Sequence, residues 1–165
     1  MARISFKGYS EFGEKLRELE FTAEGGKLLE DAAKAGVQPV ADEIRNRLEK
    51  CPTSKFQRLS DGEQFMALSQ HQKDDLLDGL GVTPVGRDKN GFVNCKVGFE
   101  GYGSFPTKTY PQGVPNAMIA RAAESGSSVR QKTPFVRPAV NATRKEAVGE
   151  MDKVVTDDLK KIFKE

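Results

Sequence analysis

The sequence predicts an α+β domain in which an antiparallel β-sheet packs against a long N-terminal helix and a long C-terminal helix. Apolar residues recur at spacings of three and four between residues 28 and 48, and again between 136 and 163. Each recurrence indicates an amphipathic helix of many turns. Residues 93–99 alternate apolar residues with polar residues or glycine, directly after Asn90-Gly91, a dipeptide typical of hairpin turns. This alternation indicates a half-buried antiparallel strand.

The N-terminal residues carry shorter patterns ahead of the long helix. Arg3–Lys7 alternates apolar and polar side chains, which predicts a strand, and Ser10 is expected to cap an amphipathic helix. Gly25-Gly26 predicts a break before the long helix begins. Pro39 lacks an amide donor, so we expect it to kink that helix or to loosen one turn. Cys51-Pro52 is expected to end it.

Two segments are predicted to be flexible loops. Residues 52–70 are polar and lack periodicity, with a short helix at 63–69 as the alternative. Residues 100–114 are rich in glycine and proline and are too long for a simple turn. Between these loops, Asp74–Leu80 is predicted to be helical and to lead into the hairpin. A further helix is predicted at 116–125, where a glycine follows its last residue.

The C-terminal helix begins at a segment with two prolines, Thr133–Val140. We predict that Phe135 points inward there and anchors the helix to the sheet. From Pro138 onward the helix would span ~40 Å at ~1.5 Å per residue. A helix of that length either crosses the whole sheet or projects towards a neighbour.

Length and composition narrow the class of protein. A chain of 165 residues is predicted to form a single domain, 1–165. The 26 basic and 24 acidic residues nearly cancel, which argues against a dedicated nucleic-acid-binding protein. No apolar run approaches the ~18 residues of a membrane span and the N-terminus lacks a secretory pattern, so we expect synthesis in the cytoplasm and no membrane contact. Cys51 and Cys95 match no metal-binding spacing and are expected to be reduced thiols.

The sequence predicts no catalytic residue, no cofactor, no metal site and no small-molecule substrate. Cys51 and His71 lack a third group that would orient a thiol–imidazole pair. Gly79–Arg87 resembles a phosphate-binding loop in its glycines alone, because a proline follows where that loop needs Gly-Lys-Ser/Thr. Three aspartates lack the spacing of a calcium loop and indicate a solvated helix face: Asp74, Asp75 and Asp78.

Aromatic and basic residues in the second half of the chain are the candidates for contact with a partner. Tyr102, Phe105 and Tyr110 lie in the loop 100–114, where they either dock a partner or pack over the protein's own sheet. Six basic residues lie within a short stretch: Arg121, Arg130, Lys132, Arg137, Arg144 and Lys145. These basic side chains either contact DNA phosphates, or face acidic neighbours or water.

Several short motifs, taken in order, resemble those of one protein family. They are Asp74-Asp75-Leu76-Leu77-Asp78-Gly79-Leu80-Gly81-Val82-Thr83-Pro84, Val97-Gly98-Phe99-Glu100-Gly101-Tyr102, Ile119-Ala120-Arg121-Ala122-Ala123-Glu124-Ser125-Gly126 and Lys132-Thr133-Pro134-Phe135-Val136-Arg137-Pro138-Ala139. Glu-x-Gly followed by Pro-Phe-x-x-Pro-Ala is the most specific part. The chain resembles the tail-component or neck proteins, small virion proteins at the head–tail junction of long-tailed, non-contractile bacteriophages. It departs from them after the first long helix, where Cys51-Pro52-Thr53-Ser54 stands in place of Ala-Pro-x-x-Thr-Gly.

The resemblance implies a structural, non-enzymatic role in joining heads to tails or completing the tail. It implies location in the virion after synthesis in the bacterial host, other phage neck and tail proteins as partners, and self-association into a ring. A DNA-contacting phage accessory protein and a small hydrolase are the alternatives. The predicted interface residues are Tyr102, Phe105, Tyr110, Arg121, Glu124, Arg130, Lys132 and Arg137.

Overall fold

The computed structural model describes residues 23–54, 67–90, 92–128 and 130–162. Their elements are, in chain order, α1 (Ala23–Lys50), α2 (Gln70–Gly79), β1 (Leu80–Val82), β2 (Gly86–Arg87), β3 (Val93–Asn94), β4 (Val97–Phe99), α3 (Asn116–Ser125) and α4 (Val136–Ile162). This confirms the predicted α+β class, with small antiparallel strand pairs beside a long N-terminal and a long C-terminal helix. The predicted strand Arg3–Lys7, the helix from Ser10 and most of the alternative helix at 63–69 lie outside the described residues.

The two long helices pack against each other in antiparallel directions. Gly36 of α1 lies against Met151 of α4, whereas Asn46, further along α1, shares a groove with Thr143, earlier in α4. The buried positions at this contact are mostly small, including Ala32 and Ala147. Small side chains let two helix backbones approach closely, so the pair is tightly packed.

The long N-terminal helix begins earlier than the sequence indicates, whereas the C-terminal helix begins within the predicted segment Thr133–Val140. α1 continues through Gly25 and Gly26, so the predicted break there is wrong. A helical glycine costs only ~1 kcal/mol relative to alanine, which packing along a 28-residue helix can offset. α4 starts at Val136, so that Pro138 lies in its first turn, where a helix needs no amide donor.

The predicted hairpin is present but is divided into two separate strand pairs. β1 pairs with β4 in the register Leu80↔Phe99, and β2 pairs with β3 in the register Gly86↔Asn94. The predicted uninterrupted strand 93–99 is therefore wrong at residues 95 and 96. The opposite segment contains Pro84, which has no amide to continue the ladder. Thr83 bridges the gap instead: its hydroxyl accepts from the Lys96 amide at 3.0 Å.

The core lies where α1, α2, α3, β4 and the start of α4 meet. Leu48, Leu68, Leu76 and Phe135 are its largest fully enclosed side chains. Phe135 is 1% exposed, and its ring meets that of Phe99 edge-on with the centroids 5.9 Å apart. The structure thus confirms that Phe135 points inward and anchors the start of α4 against the sheet.

Candidate partner-binding surface

The loop 100–114 leaves and rejoins the fold at one point. At its base, the Gly103 amide donates to the Val114 carbonyl at 2.8 Å and the Asn116 amide donates to the Gly101 carbonyl at 3.0 Å. Gly113 has a φ of +96° and lies directly on the backbone of Gly103, where a side chain would collide. Near the tip, Thr107 and Tyr110 exchange backbone hydrogen bonds. Hydrogen bonds within the loop therefore hold its backbone at the base and near the tip.

Two side chains fasten this loop to α2, and the sequence analysis missed both connections. The Asp75 carboxylate accepts from the amide of Ser104 at 2.9 Å and from its hydroxyl. The Asn116 side-chain amide donates to the carbonyls of Asp75 and Glu100 at 3.0 and 2.8 Å. Asn116 is 3% exposed, so these bonds are made in the interior. The one available signal was an asparagine at the first position of a predicted helix, where a polar side chain often has a local role.

A groove of about 770 Å³ lies between this loop and α2. Thr53 and Ser54 form one rim, and Val114 and Ile119 contribute apolar walls. Phe105 meets His71 across it, with the ring centroids 4.7 Å apart and the planes at 63°. Aromatic rings around an open concavity are a common composition for a binding surface.

The three aromatic residues of the loop differ in exposure. Phe105 is 60% exposed and Tyr102 is 56% exposed, whereas Tyr110 is half-buried. Tyr102 and Phe105 thus present most of their ring area to solvent, and Tyr110 presents less. Phe92, at the turn between β2 and β3, is 70% exposed and was not predicted as an interface residue.

Glu124 has an internal role that the sequence analysis did not predict. Its carboxylate accepts hydrogen bonds from the backbone amides of Phe135, Val136 and Arg137, at 2.8 to 2.9 Å. Partial burial alone would raise the pKa of Glu124, but these three amides outweigh it and lower the pKa below its ordinary value. This carboxylate therefore caps α4 from within the fold, and its place at a partner interface stays a prediction.

Arg130 is likewise part of the interior. It is 8% exposed, and its guanidinium donates to the Ala67 carbonyl at 3.0 Å and to Gln72 Oε1 at 2.8 Å. Burial lowers the pKa of Arg130 from its ordinary value. Little of the Arg130 side chain is therefore accessible to a partner. It connects the segment 127–134 to the start of α2.

The remaining basic candidates lie on the surface. Arg121, Lys132 and Arg137 are exposed near the junction of α3 and α4. Arg144 and Lys145 are exposed about two turns further along α4. These side chains are accessible to a partner, unlike Arg130.

Cys51 follows the last residue of α1, and the exposed His71 ring packs against Phe105. Cys51 is buried, and burial raises the pKa of its thiol. Lys73 donates to the carbonyls of Glu49 and Cys51 at 2.5 and 3.0 Å, and so caps the C-terminal end of α1. Within the described ranges, no group of three or more His, Cys, Asp or Glu side chains is placed to hold a metal ion.

Comparison with protein-family profiles, with curated proteins and with solved structures found no match to this chain. None of the described helices is both long and apolar enough to cross a membrane. The fold and its surface define an α+β protein with several exposed aromatic residues, of which Phe105 lines an open groove.

Proposed function

We propose that this chain is a structural, non-enzymatic virion protein of a long-tailed bacteriophage, acting at the head–tail junction in joining or completing the tail. One observation carries the proposal. The residues of its most specific resemblance form a single physical unit, in which the Glu124 carboxylate holds the start of α4.

That unit explains why the two halves of the motif occur together. Gly126 ends α3 with a φ of +77°, which turns the chain, and the Thr133 amide donates to the Ala123 carbonyl at 2.8 Å. Phe135 then enters the core, and Pro138 occupies the first turn of α4. If the likeness of these two short motifs to the family were accidental, there would be no reason to expect contact between them. Their contact supports reading Glu-x-Gly and Pro-Phe-x-x-Pro-Ala as one motif with a structural role.

The exposed surface agrees with a protein that works by binding other proteins. Phe92, Tyr102 and Phe105 each present more than half of their accessible area. Aromatic residues are enriched at protein interfaces and carry much of their binding energy. The surface thus favours assembly with protein partners, as expected of a neck or tail protein.

The experiment is a stop codon placed early in the reading frame of the phage that encodes the chain. We expect electron micrographs to show filled heads and separate tails, and a plasmid copy of the parent sequence to restore joined particles. Mass spectrometry of purified virions should detect the chain. Joined, infectious particles without it, or its absence from virions, would contradict the proposal.

Contact with DNA is the second candidate, favoured by the exposed Arg121, Lys132 and Arg137 near one helix junction. Phosphate contacts release counterions, so binding should fall steeply with salt. Fluorescence anisotropy with duplex DNA at about 50 and 200 mM salt tests this candidate. Affinity that is unchanged after Arg121→Gln and Lys132→Gln together would remove it.

A further inference from the structure

The backbone of the loop 100–114 is bonded close to its tip as well as at its base. The amides of Thr107 and Tyr110 each donate to the other residue's carbonyl, at 2.9 and 3.1 Å. The Thr107 hydroxyl also accepts from the Tyr110 amide at 3.0 Å, and the Gly113 amide donates to the Tyr110 carbonyl at 3.0 Å. The composition of this loop predicts flexibility, whereas these bonds favour a single conformation.

Asp75 fastens the loop to a rigid part of the fold. One oxygen of its carboxylate accepts from the Ser104 amide at 2.9 Å, and the other accepts from the Ser104 hydroxyl. The next residue of α2, Leu76, is 0% exposed in the core, so the helix is held firmly at this point. We call the two bonds between Asp75 and Ser104 the clamp.

The clamp lies between the two exposed aromatic residues of the loop. Ser104 directly precedes Phe105, which is 60% exposed, and follows Tyr102, which is 56% exposed, by two residues. The Phe105 ring is also held at one edge by His71, with the ring centroids 4.7 Å apart. Because the backbone between the two rings is fixed, their positions are set before any partner arrives.

We infer that Asp75 is a positioning residue, which holds Tyr102 and Phe105 in the arrangement that a protein partner binds. A segment that folds only on binding loses affinity to the entropy of ordering, and a pre-formed loop avoids that loss. The role of the loop in binding rests on the proposed function, whereas its order in the isolated chain does not.

Hydrogen exchange of the isolated full chain, followed by NMR, tests the order of the loop. The amides of Gly103 and Gly113 are buried and bonded within the loop, and neither bonds to Asp75. We expect both to be protected in the parent. They should exchange about 10- to 100-fold faster in Asp75→Ala, as for the loss of hydrogen bonds to a charged group. Asp78→Ala, at an exposed aspartate of the same helix, is the matched control and should leave exchange unchanged.

Ser104→Ala separates the clamp from any other role of Asp75. It removes one of the two bonds from the loop side, so it should speed the exchange of the loop by less than Asp75→Ala does. In a chain that already carries Asp75→Ala it should add little, because the bond is then absent. It also serves as the test variant if urea unfolding shows that Asp75→Ala does not fold.

A joining assay tests the role of the clamp in binding. Purified chains are mixed with the heads and tails that accumulate when the phage carries the stop codon, and infectious particles are counted. We expect Asp75→Ala to restore about tenfold fewer particles than the parent, Ser104→Ala to fall between them, and Asp78→Ala to match the parent.

Three results would overturn the inference. The first is unprotected exchange at Gly103 and Gly113 in the parent, and the second is full joining by a chain whose loop exchanges faster. The third is loss of joining in Asp75→Ala without faster exchange, which would assign the carboxylate a direct contact with the partner. A parent chain that restores no particles would instead contradict the proposed function, while the exchange rates would still decide whether Asp75 orders the loop.

Discussion

Replacing Glu124 by glutamine tests the cap on α4, because it removes the charge and keeps the shape of the side chain. The parent carboxylate accepts from the amides of Phe135, Val136 and Arg137 at the start of α4, and partial burial shields it from water. Glutamine retains one acceptor oxygen and turns an amide donor towards the remaining N–H groups. Alanine removes every acceptor.

The expected cost follows from the bonds lost. A hydrogen bond to a charged group contributes about 1.5–3 kcal/mol net, and loss of an N-terminal cap typically costs ~1 kcal/mol and up to about 2 kcal/mol. We therefore expect Glu124→Ala to lower the free energy of unfolding by about 2–3 kcal/mol and Glu124→Gln by about 1–2 kcal/mol. Glu146→Gln, at an exposed position of α4, is the matched control and should change it by less than about 0.5 kcal/mol.

The pH dependence gives a sharper test. The pKa of Glu124 is lower in the folded chain than in the unfolded chain, so the cap contributes fully above the unfolded value of about 4.3. That contribution is lost as pH falls through the folded pKa. The difference in unfolding free energy between parent and Glu124→Gln should therefore be largest near pH 7 and shrink below about pH 4.

Urea unfolding followed by circular dichroism at several pH values provides the measurement. Other carboxylates titrate equally in the parent and in the glutamine variant, so the difference isolates Glu124. A difference that stays constant down to about pH 3 would assign the effect to shape rather than charge. Equal urea midpoints for all three proteins at neutral pH would refute the reasoning that this carboxylate stabilises α4.

Three further predictions concern the core, the loop and the thiol. Phe135→Ala should lower the free energy of unfolding by ~3–5 kcal/mol because the ring is fully enclosed, and an unchanged urea midpoint would contradict this. Tyr102→Ala combined with Phe105→Ala should change the free energy of unfolding by less than about 1 kcal/mol, because both rings are exposed. The same double variant should leave heads and tails separate in electron micrographs. Joined particles would count against the loop as a docking site. Cys51→Ala should leave infectious titre unchanged, and a collapse in titre with the fold intact would point to a chemical role for the thiol.

The sequence predicted the elements whose patterns repeat over many residues. The two long helices follow from apolar spacing, α3 follows from the glycine after its last residue, and the hairpin follows from Asn90-Gly91. Phe135 was predicted to point inward from the segment with two prolines at the start of α4, and its burial is confirmed. These features depend on local periodicity, which a single sequence displays directly.

The candidate surface was harder to predict. Contacts between residues far apart in the sequence decide which of its side chains are exposed. Arg130 looks like any surface arginine until Ala67 and Gln72 are seen to accept its hydrogen bonds. Glu124 looks like the end of a helix until the amides of residues 135–137 meet it. Phe92 follows the turn signal Asn90-Gly91. That signal predicts the shape of the backbone but does not indicate what the Phe92 ring contacts. Charge and aromaticity identify candidates, and tertiary contacts decide among them.

The two long helices respond oppositely to the same substitution. Alanine normally stabilises a helix by roughly 0.5–1 kcal/mol relative to glycine, because it restricts the unfolded chain. Gly149 has open space around its absent Cβ, so Gly149→Ala should give that gain. At Gly36 the same methyl group would occupy the space of the Met151 side chain, which would have to move out of its packed position. A residue that weakens the helix as an isolated segment is thus what lets the two helices come together, and efforts to make this protein more heat-resistant should leave Gly36 unchanged.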